Sequence, residues 1–173
     1  MAEKTRGLIQ VYTGDGKGKT TAALGLALRA SGQGLKVGVI QFLKGIVGGE
    51  HYFASHHHAF DILLVSTGDL FTKSAERLSE EVRQTLAYAE ERMLKGKYDL
   101  LILDEIFIAV QQRLITVQQL LDLLDKKPEP LELILTGRNA PEVILKRADL
   151  VTEMRKIRHP FEKGIPARVG IEY

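Results

Sequence analysis

The sequence has no cysteine among its 173 residues. A chain without cysteine forms neither disulfide bonds nor thiolate metal sites, so a secreted protein stabilised by disulfides is excluded. It also lacks a marked excess of charge of one sign, with 24 Lys and Arg against 22 Asp and Glu and a formal net charge of +2. So small an excess argues against a nucleic-acid partner and favours a small-molecule enzyme or binding protein.

Long apolar runs are missing as well. The apolar stretch around Leu100 to Val110 is interrupted by Asp104 and Glu105, so we expect no membrane span and no membrane partner. The segment from Met1 to Gly7 is charged and lacks the apolar core of a signal peptide. With the absence of cysteine, these features predict a cytoplasmic protein. At 45% hydrophobic residues the chain can bury one core, which predicts a single domain over residues 1–173.

Apolar strands alternate with helical segments along the chain. The predicted strands are Leu8–Tyr12, Lys36–Leu43, Asp61–Ser66, Tyr98–Leu103, Leu131–Leu135 and Leu150–Met154. Helices are predicted at Thr20–Ala30, at Ser74–Lys95, between Thr116 and Pro128, and after Asn139 with Pro141, whereas Lys44–Phe60 is predicted to be a loop. This order indicates an α/β three-layer fold with a mainly parallel sheet of about six strands. Ligands of such folds bind at the carboxyl ends of the strands.

A glycine-rich segment, Gly14–Thr20, lies between the first predicted strand and the first predicted helix. Its glycines let backbone N–H groups turn towards an anion, the helix adds its dipole, and Lys19 adds a full charge. The common pattern G-x-x-x-x-G-K-[ST] needs glycine at position 13, where this chain has Thr13, so the match is to a shorter variant of the P-loop (RecA-like) fold. We predict that the triphosphate of ATP binds here with Mg²⁺, through Thr13, Gly14, Asp15, Gly16, Lys17, Gly18, Lys19, Thr20 and Thr21.

Two further segments end in charged residues beside this loop. Leu100–Leu103 is followed by Asp104 and Glu105, where a Walker B acid would hold Mg²⁺ directly or through water. If the strand continued, the two carboxylates would point to opposite sides, and Glu105 could bind the metal or orient a water molecule. Arg138 follows another predicted strand and is expected to reach the same crevice and pair with phosphate. An ordinary surface arginine remains the alternative.

Histidine is concentrated in the predicted loop, at His51 and at His56, His57 and His58. In an extended segment neighbouring side chains point to opposite faces, and no acidic cluster accompanies them. A solvated loop is therefore favoured over a metal site, and the role of these histidines stays open.

The chain resembles the P-loop ATP:corrinoid adenosyltransferases, which act on cob(I)alamin or cob(I)yrinic acid a,c-diamide. The resemblance is carried by the short loop without glycine at position 13 and by motifs that span nearly the whole chain: Val11–Ala23, Val37–Gly45, Gly49-Glu50, Thr67-Gly68, Leu103–Glu105, Leu135–Arg138, Ala148–Met154 and Gly170–Tyr173.

The resemblance implies that Co(I) of a reduced corrinoid attacks the 5′ carbon of ATP and releases the whole triphosphate. It implies catalytic roles for Lys19, Thr20 and Glu105, and a Mg²⁺ (or Mn²⁺) site at Thr20, Glu105 and Asp104. A flavin-type electron donor and a homodimer are implied by the family alone.

Two positions depart from the family pattern. Asp15 replaces a common Asn, and a carboxylate suits a ribose hydroxyl better than phosphate. After Thr67-Gly68, Asp69–Lys73 replaces a usual Phe-Thr-Trp stretch, and the chain has no tryptophan. The resemblance places the corrinoid at Thr67, Gly68 and Phe71, with Phe71 taking part of the aromatic role. A P-loop ATPase or phosphotransferase, and a non-catalytic ATP-sensing or corrinoid-carrying module, are the alternative functions.

Overall fold

The computed structural model describes residues 6–64 and 73–173, which form an α/β structure of three layers. Its central sheet has six strands, all parallel, in the order β3-β2-β4-β5-β1-β6. The strands are β1 (Ile9–Thr13), β2 (Val37–Gln41), β3 (Asp61–Leu64), β4 (Leu100–Asp104), β5 (Glu132–Thr136) and β6 (Leu150–Glu153). The predicted fold class and strand number are confirmed.

Helices cover both faces of this sheet. They are α1 (Lys19–Gly32), α2 (Gly49–His57), α3 (Ala75–Leu94), α4 (Ile106–Gln111), α5 (Val117–Asp125) and α6 (Glu142–Arg147), and a 3₁₀ turn occupies Pro160–Lys163. The capping box predicted before α5 is present: the Gln119 N–H donates to Thr116 Oγ1 at 3.1 Å, and the Thr116 N–H donates to Gln119 Oε1 at 2.8 Å. These bonds satisfy donors that a helix start otherwise leaves unpaired.

The alternation of side chains along β4 divides the core into two parts. Leu101 and Leu103 pack in one apolar cluster with residues of α3, α4, α5 and α6, whereas Leu100 and Ile102 pack in a second cluster with alanines of α1. All of these β4 residues are buried, because a strand in a three-layer fold is covered on both faces. Burying each such side chain contributes about 1.5–3 kcal/mol to the free energy of folding. This packing fixes the central strands, and with them the residues at their ends.

The loop predicted over Lys44–Phe60 is wrong, because α2 occupies most of it. This helix has little apolar periodicity and buries only Ala54. It is stabilised by a local contact instead, in which His51 Nδ1 accepts from the Gly48 N–H at 3.0 Å. Periodicity cannot reveal a helix that packs through so few side chains.

Helix α4 was not predicted either. It follows β4 directly within one apolar run, so no break in hydrophobicity marks the change from strand to helix. The third strand was predicted to reach Ser66; it is described to Leu64, and residues 65 and 66 lie outside the described ranges. In the described ranges, no helix has the length and apolarity needed to cross a membrane.

Candidate active site

A cleft of about 630 Å³ opens at the carboxyl ends of β1, β2, β4 and β5. The glycine-rich loop after β1 forms one side and the segment after β2 forms another, with residues from the ends of β4 and β5 between them. The lining residues include Gly16, Lys17, Gly18, Lys19, Thr20, Thr21, Leu43, Lys44, Glu50, Asp104, Glu105, Arg138, His159 and Gly170–Tyr173. The cleft therefore lies where ligands of parallel α/β sheets bind.

The glycine-rich loop packs tightly against the backbone that follows β6. The Gly16 N–H donates to the Met154 carbonyl at 2.7 Å, and a Cβ atom added at Gly16 would lie 2.6 Å from that oxygen. At Gly14 an added Cβ would lie 2.4 Å from the same oxygen, and the backbone has a φ of +100°. Only glycine fits such an approach and such a φ, so the loop's shape depends on both residues.

Lys19 begins α1 and turns back into the loop. Its Nζ donates to the carbonyl oxygens of Gly14 at 2.8 Å and Gly16 at 2.7 Å, and the residue is only 6% exposed. Burial lowers the pKa of Lys19, and the nearby Glu105 carboxyl opposes that shift. The arrangement places an ammonium group at the base of the loop, where it also stabilises the loop's fold.

Asp104 is the centre of a buried hydrogen-bond network at the end of β4. Its Oδ1 accepts from Thr20 Oγ1 at 2.9 Å and from Thr136 Oγ1 at 2.6 Å, and its Oδ2 accepts from Gln41 Nε2 at 3.0 Å. The parallel register places Gln41 of β2 directly beside Asp104. The network thus joins α1, β2 and β5 at the floor of the cleft.

Glu105 does not continue β4. Its backbone is left-handed, with a φ of 60°, and its N–H donates to Thr136 Oγ1 at 2.9 Å. The expectation of two carboxylates on opposite sides of one strand therefore does not apply, since the strand ends at Asp104. The Glu105 Oε2 atom is buried without a hydrogen-bond partner in the described part of the chain. Burial, followed by repulsion from Asp104, raises the pKa of the Glu105 carboxyl.

Thr20 Oγ1 donates to Asp104 at this floor, Glu105 lines the same cleft, and Glu105 Oε2 is still free to accept. Hydroxyl and carboxylate oxygens are the ligands that Mg²⁺ prefers, usually one or two from the protein with phosphate and water completing the shell. No group of three His, Cys, Asp or Glu suited to a metal occurs within residues 6–64 and 73–173. The residues present fit Mg²⁺ bound together with phosphate.

Of the other predicted binding residues, some line the cleft and others do not. Arg138 and Thr21 line it. Thr13 is buried, and its Oγ1 accepts from the Ala140 N–H at 3.2 Å. The Asp15 carboxylate is exposed and accepts from the Lys156 N–H at 3.0 Å, a bond that lowers the pKa of Asp15. In this structure Asp15 therefore anchors the loop to the segment after β6.

Comparison with known proteins assigns the chain to a family. The family model described as ATP:corrinoid adenosyltransferase BtuR/CobO/CobP matches residues 5–173. This chain belongs to that family. It is 35% identical to the corrinoid adenosyltransferase of Escherichia coli (strain K12), with 100% of this chain and 89% of the relative covered. The identity is 35% with corrinoid adenosyltransferase CobA of Salmonella typhimurium, at the same coverage, and 37% with the corrinoid adenosyltransferase of a Sinorhizobium species, 84% of which is covered.

Thr67, Gly68 and Phe71, which the family resemblance places at the corrinoid, lie outside the described residues. The histidines are not in an extended segment as predicted, because His51, His56 and His57 belong to α2. The prediction that neighbouring histidines point to opposite faces, which was used against a metal site, was therefore wrong because it assumed an extended segment.

Sequence reasoning missed one group of residues at the cleft, formed by Lys44 and Glu50, which line it, and by the fully buried Gln41, which contacts Glu50. Gln41 Nε2 lies 3.3 Å from Glu50 Oε1 as well as bonding Asp104, and Lys44 Nζ pairs with the same Glu50 oxygen. Burial alone would raise the pKa of Glu50, but the hydrogen bond from Lys44 and others lower it. The signal that could have found them is the family motif itself, which includes all three positions.

Proposed function

We propose that the protein transfers the 5′-deoxyadenosyl group of ATP to the Co(I) of a corrinoid and releases triphosphate. The observation that carries this proposal is the match of nearly the whole chain to one adenosyltransferase family. The cleft supports it, because Lys19, Thr20 and Glu105 converge at one place with donors and oxygen ligands suited to a polyphosphate. The enzyme is accordingly an ATP:corrinoid adenosyltransferase of the biosynthesis or salvage of adenosylcobalamin.

In this reaction the cobalt electron pair forms a bond to C5′ while the C5′–O bond breaks, and its electrons leave with the triphosphate. No proton has to be moved. The protein's task is to stabilise the charge that develops on the leaving oxygen, by donors placed before the reaction begins. The Lys19 ammonium and backbone N–H groups of the Gly14–Thr20 loop supply these donors, apart from the Gly16 N–H, which donates to the Met154 carbonyl.

Thr20, Glu105 and Asp104 would hold Mg²⁺ (or Mn²⁺) against the phosphates. The bound ion supplies positive charge that offsets the charge of the leaving group. Asp104 already accepts from Thr20 and Thr136, so it fixes the direction of the Thr20 hydroxyl. The partnerless Glu105 Oε2 is the ligand atom that has no other task in the described structure.

The other predicted nucleotide-site residues either contact phosphate or maintain the shape of the loop in this proposal. Gly14, Gly16 and Gly18 shape the loop, Lys17, Thr21 and Arg138 contact phosphate, and Thr13 and Asp15 hold the loop in place. The corrinoid is held at Thr67, Gly68 and Phe71, with Phe71 standing in for the family's aromatic pair.

Of the further aspects of the proposal, the cytoplasmic location and the single domain rest on composition and length, whereas the homodimer and the flavin-type donor rest on the family alone. The enzyme acts as a cytoplasmic homodimer whose single domain spans residues 1–173, and a flavin-type donor reduces the corrinoid. Size-exclusion chromatography with light scattering tests the homodimer, since a monomer at assay concentrations would contradict it.

The test of function is anaerobic incubation with ATP, Mg²⁺ and chemically reduced corrinoid. We expect a cobalt–carbon bond in the visible spectrum, with one triphosphate released for each bond formed and none released without corrinoid. Release of ADP and orthophosphate would contradict the proposal. That outcome would favour a P-loop ATPase or phosphotransferase, for which the free Glu105 oxygen would orient the nucleophile. Binding of ATP without any turnover would instead indicate a non-catalytic module.

A further inference from the structure

The segment Arg168–Tyr173 forms part of the cleft wall, although it has no part in the proposed reaction. Gly170, Ile171, Glu172 and Tyr173 all line the cleft beside the glycine-rich loop. The segment is folded on itself as a turn, in which the Glu172 N–H donates to the Arg168 carbonyl at 2.9 Å. It buries no apolar cluster, so its position depends on polar contacts.

The Glu172 carboxylate makes most of these contacts. It accepts from the Arg168 N–H at 2.8 Å, from Arg168 Nε at 3.2 Å and Nη2 at 3.0 Å, and from Lys17 Nζ at 2.8 Å. Lys17 Nζ also donates to the Ile171 carbonyl at 3.1 Å. Hydrogen bonds from Arg168 and then from Lys17 lower the pKa of Glu172 to about 2, so it is ionised at working pH.

We propose that Glu172 is a positioning residue that holds Lys17 and the Arg168–Tyr173 segment as the outer wall of the phosphate end of the cleft. The inference rests on the proposed function, since it takes the ligand of the cleft to be a nucleoside triphosphate. Lys17 belongs to the loop that receives the phosphates, and its long side chain is 46% exposed. Without Glu172 it would lose considerable rotamer entropy on binding a ligand.

The charge of this unit makes the inference open to a sharp test. Lys17 and Arg168 are positive and Glu172 is negative, so replacing Glu172 by glutamine raises the net positive charge at the mouth of the cleft. Attraction between charges alone would then make an anionic ligand bind more tightly. A positioning role predicts weaker binding of the anionic ligand instead, because Lys17 and the Arg168–Tyr173 segment lose the contacts that hold them in place.

The experiment measures the dissociation constants of ATP and of inorganic triphosphate by isothermal titration calorimetry. We expect Glu172→Gln to weaken both by about tenfold, the effect of one charge-assisted hydrogen bond. The matched control is Glu142→Gln, the same charge change in an exposed ion pair with Lys146 on α6, which should leave both constants unchanged. Thermal unfolding of each variant checks that the fold is retained.

A double-substitution cycle tests whether Glu172 acts through Lys17. In a Lys17→Ala background, Glu172→Gln should have a smaller effect, because the Lys17 contact is already gone and only the contacts with Arg168 remain to be lost. Unchanged or tighter binding by the single Glu172→Gln variant would overturn the inference, as would a full effect in the Lys17→Ala background. If the wild-type protein bound neither ATP nor triphosphate, the proposed function would fall together with the inference. Normal wild-type binding with an unaltered Glu172→Gln variant would remove the inference alone.

Discussion

The two walls of the cleft are built differently. The inner wall, formed by Lys19, Thr20 and Asp104, is attached to the ends of core strands and to the start of α1, and Lys19 and Asp104 are 6% and 1% exposed. The outer wall, formed by Lys17 and the Arg168–Tyr173 segment, is held together by long side chains. Those of Lys17 and Arg168 are 46% and 55% exposed. The polar groups of the inner wall are buried, so water cannot take the place of a hydrogen-bond partner that is lost. Those of the outer wall remain in contact with water.

This difference separates stability from ligand affinity. A buried acceptor such as Asp104 leaves its donors unpaired when it is lost, which costs folding free energy as well as function. Exposed ion pairs contribute little to folding because water and salt screen them. We therefore expect substitutions in the inner wall to change stability and catalysis together, and substitutions in the outer wall to change affinity with little change in folding.

The largest expected effect is the loss of activity in Lys19→Ala, which we compare with that in Lys17→Ala. Removing one donor that stabilises developing charge lowers the rate by about 10²–10³-fold, which we expect for Lys19. Lys17→Ala should cost only about tenfold, since a partly hydrated donor is lost. The measurement is kcat/KM for formation of the cobalt–carbon bond. Equal losses for the two lysines would break the distinction between the walls.

Asp104→Asn should destabilise the fold. An amide has one acceptor oxygen where the carboxylate has two, so the donors Thr20 Oγ1, Thr136 Oγ1 and Gln41 Nε2 can no longer all be accepted as they are by Asp104. We expect the free energy of unfolding in urea to fall by about 1–3 kcal/mol. The exposed Glu142→Gln variant should stay within about 0.5 kcal/mol of the wild type. An unfolding free energy for Asp104→Asn equal to that of the wild type would show that the network does not stabilise the inner wall.

Glu105→Gln should raise stability at neutral pH while it lowers activity. Burial raises the pKa of Glu105, so the folded state disfavours its ionised form, and above that pKa the charge makes the fold less stable. Glutamine removes this cost and also removes the proposed metal ligand. The urea midpoint at pH 7 and at pH 4 should show a gain that is larger at pH 7. A lower midpoint at pH 7 would contradict this reading of Glu105.

The smallest effect concerns the pH dependence of stability at Glu172. The pKa of Glu172 in the folded state, about 2, is below the ordinary glutamate value of 4.5, so the contribution of this group is present above pH 4.5 and is lost as the pH falls towards 2. Glu172→Gln should therefore flatten the curve of urea midpoint against pH in this window. Above pH 5 the difference between the variant and the wild type should be constant. A difference that varied above pH 5 would assign the effect to another group.

Much of this fold was predictable because its signals are local. The glycine-rich loop between an apolar strand and an alanine-rich helix predicted β1, the loop and α1, and Thr116 predicted the start of α5. Helices α2 and α4 were not predictable in the same way. Helix α2 buries little apolar surface and is stabilised by the hydrogen bond from the Gly48 N–H to His51, and helix α4 continues the apolar run of β4.

The sequence by itself determined the strand–loop–helix of Gly14–Thr20, the acidic end of β4 and, through its motifs, the family. These depend on residue type and short spacing, which physical chemistry constrains locally. Only the tertiary structure decided that Asp104 accepts from three other elements, that Glu105 turns out of the strand, and that Glu172 meets Lys17 across 155 residues of chain. Contacts between residues so far apart depend on the order of strands in the sheet and on how the chain returns to it, and no local pattern encodes that return.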